Sequence, residues 1–222
     1  MLTLVIVVLA TLVGGSLQQP GIINLNLGGG GDAVAPQTPY VKPAFCHDLD
    51  CPKYTVMETN DQFEKRRYEP SVWVATSLYT FNYTKAQNDL MFYKLFHYIS
   101  GNNSANQKIA MTAPVVTEIV HGPGPDCESN FTMHFMVPFD LQANPPAPTE
   151  SSVFIKRVPE MTVYVKSYSG FSNDALKRQN LEEEVNSLDS MNRKYSESVF
   201  LTASYDGPFA FVRHNEIWLV AM

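Results

Sequence analysis

From Tyr54 onward the chain alternates apolar and polar residues in short runs bounded by turn residues. Alternation with a period of two marks half-buried strands. It predicts strands over 54–58, 63–68 and 72–79, then over 109–120 and 131–137, and later over 161–168, 199–205 and 216–220. The segment Lys108–Val115 (KIAMTAPV) opens the fourth of these and breaks at Pro114. Proline cannot donate to a ladder, so this strand is expected to reach a sheet edge or a bulge there. His121-Gly122-Pro123-Gly124-Pro125 reads as the turn that follows.

Two stretches follow a helical period instead. Thr84-Lys85-Ala86-Gln87 is a capping-box signature, a hydroxyl cap with Gln three residues on. The helix it opens is expected to run to about residue 99 and to stop at Gly101. Its apolar residues Leu90, Met91, Phe92, Leu95, Phe96 and Ile99 cover a wide face, as for a helix laid across a sheet. A second helix is predicted over 174–190, with Leu181, Val185, Leu188 and Met191 directed at the sheet. The order therefore reads as two β-α-β-β units, a duplicated α+β domain. Their sheets are expected to merge into one twisted antiparallel sheet or β-barrel flanked by two helices. Trp73, Tyr79, Phe135, Tyr164 and Trp218 fall on the alternating strands and are expected in its core.

Ahead of this body the composition shifts. Residues 2–13 are an apolar run followed by Gly14-Gly15-Ser16, so 1–16 reads as a secretory signal peptide, too short for a stable membrane anchor. Residues 17–45, with Gly28–Gly31 and prolines 20, 36, 39 and 43, read as a flexible lead-in, leaving 46–222 as the domain. Residues 144–150 (NPPAPTE) form a proline-rich connector. Export is consistent with three glycosylation sequons, at Asn82, Asn102 and Asn130. Three cysteines in an oxidising compartment give one disulfide and one free thiol. Either Cys46 pairs with Cys51, or one of them reaches Cys127; the long-range pairing is the expectation, worth about 4 kcal/mol in the chain-entropy model.

Charge and motifs exclude several classes. A formal net charge of -6, with no basic run, argues against nucleic-acid binding. The spacing of Cys46 and Cys51 lacks the second pair that a zinc site needs. No G-x-S-x-G or H-E-x-x-H motif marks a nucleophile or a catalytic metal, so no enzyme is expected. His47, His121, His134 and His214 lie in loops or strands with no partner evident in the sequence.

Several ordered blocks resemble the SOUL/haem-binding-protein family: Tyr68–Thr76 (YEPSVWVAT), KIAMTAPV at 108–115, PPAP at 145–148, SSVFIKRVPEMTVYVKSYSGFS at 151–172 and NEIWLV at 215–220. Together they span about residues 54–222. The resemblance implies a twisted β-barrel flanked by two helices, and non-covalent binding of haem (b-type) or a related porphyrin in an apolar groove beside the first helix. On this chain that groove would be lined by Met91, Phe92, Leu95, Phe96 and His97, with propionates met by cations or amide donors. Arg67 stands where some members carry a histidine proposed as axial ligand. Asp89 and His97 stand where others carry basic residues toward the propionates. The implied complex therefore lacks a strong axial ligand, and His97 is its one candidate imidazole. The alternative is a carrier or effector-binding module for another small hydrophobic ligand.

Overall fold

The structure is a computed structural model and describes residues 40–122 and 127–222. The predicted signal peptide, most of the predicted lead-in and the centre of the 121–125 turn lie outside the described residues. Nine strands form one antiparallel sheet: β1 (Tyr54–Thr59), β2 (Glu64–Tyr68), β3 (Ser71–Thr80), β4 (Val115–Val120), β5 (Ser129–Met136), β6 (Val153–Val158), β7 (Met161–Ser169), β8 (Tyr195–Ser204) and β9 (His214–Ala221). Two helices, α1 (Lys85–Ile99) and α2 (Asp174–Ser190), complete the α+β fold predicted from the sequence. The strand order is β1-β2-β7-β9-β8-β4-β5-β3-β6, so the twisted sheet stays open, with β1 and β6 at its edges.

That order carries the duplication. The unit β2-β3-α1-β4-β5 is followed by β6-β7-α2-β8-β9. Each unit lends its leading strand to the other half: β2 pairs with β7, and β6 pairs with β3. The central seam is the β4–β8 pairing. Exchange of leading strands buries edges that two separate half-sheets would leave open, which is why the halves form one body.

The helix starts are as local chemistry dictates. Thr84 and Gln87 complete the capping box at α1, and the Asn173 side chain accepts from Leu176 N–H at α2. The KIAMTAPV segment departs from its expectation. β4 begins only after Pro114, because the preceding residues send their hydrogen bonds elsewhere. Ile109 N–H donates to Ile99 C=O at 2.8 Å, Ala113 N–H to Asp50 C=O at 3.0 Å, and the Thr112 hydroxyl to Met136 C=O at 2.8 Å. β6 was not among the strands predicted by alternation. Of the five aromatics expected in the core, four are buried and Tyr79 is 65 % exposed.

Alternation along the strands gives the sheet two apolar faces. On one face α1 packs over β3 and β5, and α2 over β7 and β9. The opposite face gathers Tyr68, Trp73, Val116, Met136, Leu201 and Trp218. A short 3-10 turn at Ala44–Cys46 closes one end of that cluster. Residues 40–45 belong to the predicted lead-in, yet Phe45 stacks on His214 at 4.0 Å and Tyr40 meets Tyr54 edge-on at 6.5 Å.

The disulfide corrects the sequence expectation. Cys46 and Cys51 are bonded to each other, with Cα atoms 6.0 Å apart, and Cys127 is a free, exposed thiol. The 3-10 turn bends the chain so that the two half-cystines both face the core, and each is almost fully buried.

Candidate functional site

Because α1 sits over β3 and β5 and α2 over β7 and β9, the central strands β4 and β8 are left uncovered between them. A cavity of about 670 Å³ opens there. Its floor is the helix-side set of alternating residues, including Val115, Thr117 and Ile119 on β4, Phe131 and Met133 on β5, and Phe200 and Thr202 on β8. Phe92 and Asn88 supply the α1 wall, and Lys177, Arg178 and Leu181 the α2 wall. Tyr83 stacks on Phe131 with ring centroids 4.3 Å apart, and His121 lies at the edge, 5.5 Å from Phe200.

The cavity is apolar below and charged above. Lys177 stands 3.8 Å from Asp174, and Arg178 has no ion-pair partner among the described residues. Asp174, Glu182 and Asp206 also reach the cavity edge. Asp206 is occupied, bonded to His47 Nε2 at 2.9 Å and accepting from His214 N–H. Such a volume, with an apolar aromatic floor under a polar and charged rim, suits a small molecule that carries both an apolar body and polar groups.

Of the five groove residues expected from the sequence, the structure divides the set. Phe92 lines the cavity, 5.2 Å from Phe135, and Phe96 stacks on it one turn further along α1, half-exposed. Met91 and Leu95 lie on the sheet-facing side of α1, fully buried beneath it. His97 is exposed and does not line the cavity. The sequence reading did not place Lys177, Arg178, Leu181 and His121 at this cavity, because residues of the two halves come together only across the β4–β8 seam, which no local pattern records.

The histidines also acquire surroundings that the sequence did not show. His47 and His214 have carboxylate partners, Asp206 and Glu216. His134 is buried with no hydrogen-bond partner on either ring nitrogen. Asn82 and Asn102 are exposed at turns, whereas Asn130 sits within β5 with its Oδ1 shielded. Among the described residues no group of three or more His, Cys, Asp or Glu could hold a metal ion. Nor is any described helix long and apolar enough to cross a membrane.

The profile of SOUL heme-binding protein matches residues 49–220. The chain belongs to this family. It is similar to heme-binding protein 2 of Mus musculus, 37 % identical over 177 residues that cover 78 % of this chain and 86 % of the relative. Against heme-binding protein 2 of Homo sapiens the identity is 38 % over 159 residues, covering 71 % and 77 %. Among solved structures, the EcmrR C-terminal domain superposes with a TM-score of 0.55 at 11 % identity, over 72 % of this chain and 97 % of that domain. At that identity the likeness is one of fold alone.

Proposed function

We propose that this protein binds haem or a related tetrapyrrole non-covalently in the cavity between α1 and α2, as a binding protein rather than a catalyst. The observation that carries the reading is the cavity itself. Its volume is about 670 Å³, with an aromatic floor and wall and the cations Lys177 and Arg178 at its edge. The residues suit the group. A porphyrin face would lie against Phe92, Phe131 and Phe200, and Lys177 and Arg178 would meet its carboxylates. His121 at the edge would be the imidazole available to a bound iron, with His97 beyond Phe96 the one expected from the sequence, and neither is held by a carboxylate. A weakly ligated complex follows, with affinity set chiefly by apolar burial.

A second reading is favoured by the acidic residues. Asp174 and Glu182 share the edge with the two cations, which suits a hydrophobic carrier site for ligands other than a dianionic porphyrin. Hemin titration followed at the Soret band separates the two. Phe92→Asp should abolish the complex, because it sets a charge against the ring face. Joint replacement of Lys177 and Arg178 by alanine should weaken it and reduce its salt dependence. His121→Ala and His97→Ala report which imidazole approaches iron, through a Soret shift in one variant only. Unchanged binding by Phe92→Asp would remove the haem reading from this cavity, and a similar result with Phe96→Asp would remove it from α1 altogether.

Export belongs to the same proposal. The apolar run at 2–13, the Cys46–Cys51 disulfide and the exposed sequons at Asn82 and Asn102 support a secreted, glycosylated protein. Enzymatic removal of N-glycans from protein isolated from secreting cells should lower its mass, and an unmodified chain would overturn the proposal.

A further inference from the structure

A second cavity, of about 430 Å³, lies on the opposite face of the same central strands. Its walls are Tyr68, Trp73, Val116, Leu201 and Trp218, and His134 of β5 lines it from the sheet. This cavity and the one between the helices share no lining residue, because neighbouring positions on β4, β5 and β8 point to opposite faces.

The polar atoms of its aromatic walls are already engaged. Trp73 Nε1 donates to Ser71 Oγ at 2.9 Å, and Trp218 Nε1 donates to Glu216 Oε2 at 2.7 Å. Tyr68 Oη accepts from Arg66 at 3.2 Å. The cavity lining balances its charges, Lys156 and Arg157 against Glu69 and Glu118: Lys156 pairs with Glu118 at 2.9 Å, and the exposed Arg157 donates to Gln142 C=O at 3.4 Å. His134 is the exception. It is 4 % exposed, stands edge-on to Trp73 at 6.2 Å, and neither of its ring nitrogens has a hydrogen-bond partner. The backbone of Val116 and Thr132 passes close to the ring without reaching hydrogen-bond geometry. Buried polar groups in folded proteins are ordinarily satisfied, so an unsatisfied imidazole at the wall of an apolar cavity calls for a partner from outside the chain.

We propose that this cavity is a second ligand site, for a flat, uncharged aromatic molecule carrying one hydrogen-bonding group, of the phenol or indole class. The aromatic walls supply stacking and edge contacts for the ring system. His134, held neutral in this setting, accepts a hydrogen bond from the hydroxyl or ring N–H. The balanced charges of the lining, two of each sign, leave no net demand for a charged ligand. Specificity rests on the acceptor nitrogen of His134, its N–H being left to the nearby Val116 and Thr132 backbone: a molecule of the same shape lacking the donor leaves that nitrogen unsatisfied and is disfavoured.

The test is a titration of the ¹⁵N-labelled protein with 2-naphthol and, separately, with naphthalene, followed by NMR of the backbone amide, imidazole and indole nitrogens. Trp73 and Trp218 are the chain's two tryptophans, so both indole signals report on this cavity. The expected result is that 2-naphthol shifts the His134 and both indole resonances, and binds about tenfold more tightly than naphthalene. In His134→Phe that preference should vanish while naphthalene still binds. The wild-type comparison of the two probes stands whether or not this variant folds. Equal affinity of the probes for the wild type would overturn the proposal, as would no binding of either. Shifts confined to Lys177, Leu181 and their neighbours would overturn it too, since they place the probe on the other face. Hemin binding between the helices is a separate measurement, and its outcome leaves this one unaffected.

Discussion

Arg66 Nη1 donates to Glu216 Oε1 at 2.9 Å, joining β2 to β9 across the intervening β7 through two fully buried side chains. Glu216 also accepts from Tyr205 Oη at 2.8 Å, from Trp218 Nε1 at 2.7 Å and from His214 Nε2 at 2.8 Å. Burial works against its charge, but donation from His214 and the Arg66 cation outweigh burial and hold the carboxyl below its ordinary range. Arg66→Met removes one member and leaves a buried carboxylate short of its countercharge. A loss of about 3–5 kcal/mol in unfolding free energy is expected, measured by urea denaturation at neutral pH. A loss below 1 kcal/mol would mean that the neutral donors alone satisfy Glu216.

His134 predicts an acid sensitivity. Burial, and next the Lys156 cation, push its pKa down to about 4, with Glu118 offsetting part of this. The unfolded chain binds a proton near pH 6.5, whereas the folded protein refuses it until about pH 4. The contribution is therefore complete above pH 6.5 and is lost as pH falls toward 4, amounting to about 3 kcal/mol across that window. Comparing denaturation curves of wild type and His134→Phe between pH 4.5 and 7 isolates the term. Parallel pH profiles would show that His134 does not titrate as its burial demands.

Glu184 acts in the opposite direction. It lies under α2, 1 % exposed, with neither carboxylate oxygen hydrogen-bonded, while Lys166 pairs with the neighbouring Glu183 at 3.1 Å. Burial raises its pKa well above the ordinary value, Lys166 only partly opposing. The folded state thus holds a proton that the unfolded state releases above about pH 4.5, and stability from this group falls as pH rises from there. Glu184→Met should stabilise the protein by about 1–3 kcal/mol at pH 8, with the gain shrinking toward pH 5. A destabilised variant at pH 8 would refute it.

The cysteine arrangement is checked by chemistry. Non-reducing peptide mapping should recover one peptide linking Cys46 to Cys51, and Cys127 should react with a thiol reagent in the absence of denaturant. The closed loop is short, so reduction should cost about 2 kcal/mol, roughly half of what a bridge to Cys127 would supply. Recovery of any Cys127 cystine from the monomer would contradict the structure.

What the sequence determined by itself was the local grammar. The Thr84 capping box fixed the start of α1, the Leu181 to Leu188 spacing marked the buried side of α2, and alternation located most strands, because each depends on residues within one turn or one hairpin. The duplication was visible for the same reason, as a repeat of local patterns. The tertiary structure decided the rest. Residues 109–114 alternate like a strand, yet their hydrogen bonds go to Ile99, Asp50 and Met136, partners that only the folded chain brings near. Exchange of β2 and β6 between the halves set the uncovered seam, and that seam brought Phe92 together with Lys177 and Arg178 while leaving His97 outside. His134 and Glu184 look like ordinary polar residues in a linear reading. Their meaning comes from burial, a sum over neighbours distant along the chain, and no short window of sequence holds that sum.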